Sequence, residues 1–164
     1  AVTSLNDQGT ASEYAEAGSN ILISAYGGEY CDTHTLSTTD VTGGAGFNNG
    51  ITNPEDYLGK SNYTRCMNGT SGAAPQIAGV VALMLEANPA LTWRDVRLIL
   101  AQTARHNDPT HPDWRTNAGG LLFNPQYGYG LVTPLLCGWI LWERREELAG
   151  SAATAADELK KEGY

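Results

Sequence analysis

A serine within a short run of small residues is the feature of this sequence that can do chemistry. Residues 69–75 read Gly-Thr-Ser-Gly-Ala-Ala-Pro, and a long apolar run follows them. The pattern predicts a turn that places Ser71 at the start of a buried helix. Unpaired backbone N–H groups and the positive end of the helix dipole lie there, and both stabilise an oxyanion. Ser71 is therefore a candidate nucleophile, with Gly69 and Thr70 in the turn before it.

Two stretches around Ser71 resemble the subtilases, the subtilisin-like serine peptidases. Residues 68–79, Asn-Gly-Thr-Ser-Gly-Ala-Ala-Pro-Gln-Ile-Ala-Gly, resemble the serine motif of that family. Residues 85–96, Leu-Glu-Ala-Asn-Pro-Ala-Leu-Thr-Trp-Arg-Asp-Val, resemble its kexin and proprotein-convertase branch. A buried helix with a serine at its N-cap would explain Ser71 but not this joint pattern.

The resemblance implies an α/β fold, as part of a subtilisin-like three-layer domain around a parallel sheet. It also implies a serine endopeptidase in which Ser71 attacks a peptide carbonyl and its backbone N–H supplies half of the oxyanion hole. The kexin-like branch implies cleavage after basic residues. Polypeptide chains are then the expected substrates.

The general base of such an enzyme has no counterpart near Ser71. Subtilases present Asp, His and Ser in that order along the chain. The three histidines are His34, His106 and His111, and none lies in the family's His-Gly-Thr motif. Each is predicted to lie in a surface loop. We therefore expect the chain to correspond to the C-terminal half of a catalytic domain, with His and Asp supplied by an upstream segment or a second chain.

Two other interpretations remain open. The chain would be a catalytically inert fragment or pseudoenzyme, acting as a binding or structural module, if no His and Asp reach Ser71. Alternatively, it would be a different serine hydrolase if His34 served as the base.

The resemblance to the subtilases ends after Val132, which divides the chain into residues 1–132, the subtilase-like part, and residues 133–164, a divergent tail predicted to be helical. The predicted elements are strands at 1–5 and 20–25, a long loop at 26–60, a second helix at 93–104, and a terminal hairpin formed by 121–123 and 127–132. Thr92 is the expected N-cap of the second helix, with Asp95 in the capping-box position. Trp93 is expected to pack into the core.

Charge and composition exclude several classes of partner. The net charge is −8, which argues against nucleic acid and anionic membranes. The apolar run at 131–142 is too short to span a bilayer. An acidic chain of this kind fits a secreted or cell-surface enzyme. The resemblance implies a structural calcium ion, but the sequence assigns no ligands to it.

Three cysteines, Cys31, Cys66 and Cys137, leave at least one without a partner inside the chain. Some kexin-like enzymes carry a bridged cysteine just ahead of the serine motif, where Cys66 lies. The resemblance therefore implies a bridge from Cys66, either to Cys31 or to an upstream cysteine. Cys137 lies in an apolar run and is expected to be a buried thiol.

Overall fold

A computed structural model describes residues 1–31, 34–49, 56 and 62–132. The elements in chain order are β1 (Val2–Leu5), β2 (Ile23–Tyr26), β3 (Leu36–Thr39), a 3-10 turn (Gly43–Ala45), β4 (Tyr63–Met67), α1 (Thr70–Ala87), α2 (Trp93–Thr103), β5 (Arg115–Thr116) and β6 (Leu122–Phe123). The mixture of parallel strands and helices is the predicted α/β class.

Strands β1 and β2 pair in parallel, with Val2 opposite Ile23. The end of the described chain lies along the other side of β2, where Leu131 bridges Ser24 in parallel. The Ser24 amide donates to Gly130 O at 2.8 Å, and the Val132 amide donates to Ser24 O at 3.1 Å. The predicted hairpin of 121–123 with 127–132 is therefore wrong, because residues 130–132 pair with β2 while β6 pairs with β5.

Strands β3 and β4 form an antiparallel pair, with Thr39 opposite Tyr63 and an irregularity between Leu36 and Thr38. The sequence predicted a loop over the whole of 26–60, so β3 is a correction. Three of its four residues are exposed, which explains why no apolar alternation marks the strand.

Helix α1 packs one face against β1 and β2. The core combines residues of β2, both helices and the turn between them: Ile23, Ala25, Ala73, Ile77, Val80, Met84, Leu91, Ile99 and Leu100. The opposite side of α1 is not covered by described residues, since Leu83 is 60% exposed and Leu85 39%. The prediction of a buried helix thus holds for one face only.

Helix α2 begins with the predicted capping box. The Thr92 side chain accepts from the Asp95 amide, and the Asp95 carboxylate accepts from the Thr92 amide at 2.8 Å. The prediction for Trp93 is wrong, because this side chain is 63% exposed. Arg94 and Arg97 lie over its ring, at 5.1 and 5.7 Å from the centroid.

The predicted tail at 133–164, including Cys137, lies outside the described residues. Within the described part of the chain, no helix has the length and apolar character to cross a membrane.

Candidate functional site

Ser71 is the second residue of α1 and is exposed. The N-cap is Gly69, whose φ of 98° is a conformation that residues with a side chain rarely adopt. The Gly69 carbonyl accepts from the Gly72 amide at 2.9 Å, which starts the helix. The amides of Thr70 and Ser71 are too early in α1 to have intrahelical acceptors, so they remain available to an anion.

The turn between β4 and α1 is held against residues 27–29, which follow β2. The Gly69 amide donates to Gly27 O at 3.0 Å. The Asn68 side-chain amide donates to Glu29 O. Gly27 and Gly28 in turn donate their amides to Leu5 O, at 2.9 and 3.0 Å. These hydrogen bonds hold the turn before Ser71 against the parallel strands.

Tyr14 is a contact of this turn that the sequence did not predict. Its hydroxyl accepts from the Gly69 amide at 2.9 Å and donates to Gly28 O at 2.6 Å. Tyr14 lies 55 residues before Gly69 in a small-residue connection. No local pattern links the two positions.

The structure pairs Cys31 with Cys66, one of the two pairings that the sequence left open. Two hydrogen bonds join the same two segments as this disulfide. Arg65 Nη2 donates to Cys31 O at 3.0 Å, and the Thr35 hydroxyl donates to Arg65 O. The disulfide therefore ties the end of β4, five residues before Ser71, to the loop after β2.

The histidines are not brought together with the serine. Among the described residues, no hydrogen bond joins Ser71 to a histidine. His34 Nδ1 lies 2.7 Å from Asp7 Oδ2, with 78% of its side chain exposed. His106 packs against Trp114, with the two rings tilted and their centroids 4.9 Å apart. His111 lies in a loop, as predicted, and is half-buried there: its Nδ1 lies 3.0 Å from Asn124 Nδ2, and its ring meets the Tyr127 ring edge-on at 5.3 Å between centroids.

The structure assigns no ligands to the expected calcium ion. Within the described ranges, no group of three or more His, Cys, Asp or Glu side chains is arranged to hold a metal ion.

The sequence matches the model of the subtilase family, Peptidase S8, over residues 1–130. It is 36% identical over 160 residues to the extracellular serine protease of Aeromonas sobria, covering 80% of this chain and 26% of that protein. The crystal structure of that A. sobria protease with its chaperone superposes with a TM-score of 0.79 at 33% identity, covering 87% of this chain and 29% of that one.

Two further relatives, both named as proteolytic enzymes, also match this chain. Human proprotein convertase subtilisin/kexin type 5 is 41% identical over 104 residues, covering 63% of this chain and 5% of that protein. A calcium-dependent protease of Trichormus variabilis is 39% identical over 137 residues, covering 82% of this chain and 20% of that protein. The chain thus spans about a quarter or less of the length of these relatives. The family match over residues 1–130 and the superposition on the A. sobria enzyme together show that this chain, with its subtilisin-like fold, belongs to the subtilase family.

Proposed function

We propose that this chain supplies the nucleophile of a serine endopeptidase, and that Ser71 is that nucleophile. The observation that carries the proposal is the placement of Ser71. It lies exposed at the start of α1, directly after a glycine N-cap, in a chain of the subtilase family. The division into residues 1–132 as catalytic-domain sequence and 133–164 as a tail belongs to the same proposal.

In the first chemical step, Ser71 Oγ forms a bond to the carbonyl carbon of the scissile peptide. Its proton passes to a histidine outside the described contacts, which an aspartate orients. The carbonyl oxygen becomes an oxyanion and accepts a hydrogen bond from the Ser71 N–H. The histidine then gives the proton to the leaving amine as the C–N bond breaks. Water hydrolyses the acyl-enzyme by the same sequence in reverse.

The proposed His and Asp come from protein beyond this chain's described residues, as an upstream segment or a second polypeptide. The small share of each relative that the chain covers supports this assignment. The resemblance of residues 85–96 to the kexin branch, together with the identity to a relative named proprotein convertase, supports cleavage after basic residues. The relative named calcium-dependent protease supports a structural calcium ion in the whole protein. The extracellular relative and the Cys31–Cys66 disulfide both support secretion.

A fluorophosphonate probe tests the proposal, because it reacts with an activated serine and leaves a covalent adduct. The protein isolated from the cells that make it is treated with the probe, and the adduct is located by peptide mass spectrometry. We expect the adduct on Ser71, and none in a Ser71→Ala variant. The purified 1–164 chain should react far more slowly. A folded native protein without an adduct would overturn the proposal and leave an inert binding or structural module.

The His34–Asp7 pair favours one second candidate, a serine hydrolase in which His34 is the base. A carboxylate within 2.7 Å of a ring nitrogen is the arrangement that orients a catalytic imidazole. The two candidates differ in whether reactivity at Ser71 depends on His34.

A further inference from the structure

We propose that Tyr14 is a positioning residue for the nucleophile, acting through the backbone of Gly69. The inference rests on the proposed role of Ser71. Tyr14 is half-buried and belongs to the connection between β1 and β2. Its hydroxyl meets the N-cap of α1, two residues before the serine.

The hydrogen bond between the Gly69 amide and the Tyr14 hydroxyl has an unambiguous direction. A backbone N–H can only donate, so the phenol oxygen accepts from Gly69 at 2.9 Å. The single phenolic proton has Gly28 O at 2.6 Å and Gly27 O at 3.1 Å as acceptors, and the shorter bond takes it. One hydroxyl therefore connects the nucleophile turn to residues 27–29.

Two buried serine hydroxyls, those of Ser4 and Ser12, lie close to the Tyr14 hydroxyl. Ser4 Oγ lies 2.9 Å from the Tyr14 oxygen, and Ser12 Oγ lies 3.0 Å from Ser4 Oγ. Ser4 is fully buried, and Ser12 is 2% exposed. The Tyr14 proton goes to Gly28 O, so Ser4 is the donor to Tyr14, and the Ser12 hydroxyl donates to the same Gly28 O at 2.8 Å. These bonds lie in a dry interior and hold the phenol in one place.

The Tyr14 hydroxyl affects Ser71 by fixing the orientation of the peptide group between Asn68 and Gly69. The Gly69 amide is shared between Gly27 O at 3.0 Å and the Tyr14 hydroxyl at 2.9 Å. The orientation of that amide and the φ of 98° together set the direction in which the Gly69 carbonyl starts α1. Ser71 lies in the first turn of α1, so a small rotation at Gly69 displaces both its Oγ and its backbone N–H.

The test compares Tyr14→Phe with Tyr63→Phe. The phenylalanine at position 14 preserves a ring that can face Tyr30, now 6.3 Å away in an edge contact, and removes only the hydroxyl. Tyr63 is 49% exposed on β4, and its hydroxyl has no hydrogen bond to a described residue. Ser4→Ala is the second variant, because it removes the support without touching Gly69.

The first readout is hydrogen exchange of individual backbone amides in the 1–164 chain, which needs no catalysis. We expect Gly69 to exchange at least tenfold faster in Tyr14→Phe, and by a smaller factor in Ser4→Ala. The Ser24 and Val132 amides beside β2 should be unchanged, as should every amide in Tyr63→Phe. An unchanged Gly69, or an equal acceleration at Ser24 and Val132, would overturn the proposal, the latter because the loss would then be global.

The second readout is the rate of the fluorophosphonate reaction at Ser71 in the native protein. We expect at least a tenfold fall in Tyr14→Phe and no fall in Tyr63→Phe. With a peptide substrate, kcat should fall while KM stays unchanged, since the contact does not touch substrate. If the wild-type protein shows no reaction at Ser71, the proposed function fails, and Gly69 exchange alone then decides whether Tyr14 holds the turn.

Discussion

A side chain at position 27 would collide with the turn at Gly69, because a Cβ built on Gly27 would lie 2.6 Å from the carbonyl oxygen of Gly69. That oxygen accepts the first hydrogen bonds of α1. The close approach of these two backbone segments is thus possible only with glycine at position 27. The segment after β2 and the start of α1 fit together without space for even a methyl group.

Replacing Gly27 by alanine should therefore destabilise the fold and disturb the turn together. The added methyl would also meet Ser4 Oγ in the buried hydroxyl chain. Overpacking of this kind costs about 1–3 kcal/mol, which urea unfolding would measure as a lower midpoint. Gly44→Ala is the matched control, because a Cβ there has nothing within 4 Å. Equal midpoints for the two variants would contradict the close fit.

Removal of the Cys31–Cys66 disulfide should lower the free energy of unfolding by more than Gly27→Ala does. The bridge joins residues 35 apart in sequence, and loop-closure entropy predicts a contribution of about 3–4 kcal/mol for such a loop. The Cys31→Ser/Cys66→Ser double variant should unfold at a lower denaturant concentration than the oxidised wild type. Adding a reductant should shift the wild type to the midpoint of the double variant and leave the variant itself unmoved. A wild-type midpoint that ignores the reductant would show that the bridge is absent.

We expect Asp40 to contribute to the loss of folding stability at low pH. The Asn48 amide, which donates to Asp40 Oδ2 at 2.7 Å, is the main cause that lowers the pKa of this carboxyl, with smaller effects from the Phe47 and Val41 amides. Burial acts in the opposite direction. A lowered pKa in the folded state means that the ionised carboxylate favours folding above the ordinary value of 3.8, and that this contribution is lost as the pH falls through the folded-state pKa.

The measurement for Asp40 is the urea midpoint as a function of pH. Asp40→Asn should be less stable than the wild type at neutral pH, because an amide nitrogen cannot accept the backbone bonds. The gap should narrow as the pH falls below 3.8, because the folded wild-type carboxyl, whose pKa is lowered, takes up its proton there. Glu86→Gln, which removes an exposed carboxylate on α1, is the control and should show no such convergence. A gap that stays constant down to low pH would contradict the role of the charge.

His34→Ala should leave the fluorophosphonate reaction at Ser71 unchanged. The His34 ring is largely exposed and pairs with Asp7 rather than with the serine. Retention of the wild-type rate would eliminate the hydrolase in which His34 is the base. Complete loss of the adduct in a folded variant would instead favour that hydrolase over a base supplied from outside. Asp7→Ala should repeat the result of His34→Ala in either case, since the pair would act as a unit.

Local sequence signals predicted the parts of this fold whose stabilising contacts lie close in sequence. The capping box of α2 joins Thr92 to a residue three positions later, and it forms as expected. The turn into α1 needed a glycine before the helix, and Gly69 occupies that place. The α/β class followed from the resemblance over residues 68–96 rather than from periodicity.

The errors concern contacts between distant residues. Strand β3 lies within the stretch at 26–60, which has no apolar periodicity, and it forms by pairing with β4. Its four residues are exposed or half-buried, so they carry no local pattern that predicts a strand. The two short apolar segments at 121–123 and 127–132 predict a hairpin, whereas residues 130–132 pair with β2 more than 100 residues earlier. Trp93 was assigned to the core on residue type, although the buried positions of α2 are Ile99, Leu100 and Thr103. The Tyr14 contact with Gly69 belongs to the same class of error.

Several hydrogen bonds around the turn before Ser71 join residues that lie far apart in the sequence, and this separation affects when in folding they can form. The Gly69 amide meets a hydroxyl 55 residues away, and the Ser24 hydroxyl donates to a carbonyl 103 residues away. Each such contact requires a long loop to close before its hydrogen bond offsets the entropy lost. Helices α1 and α2 need only local contacts and can begin to form within about a microsecond. We therefore expect the turn before Ser71 to acquire its final geometry late in folding, after these long loops have closed.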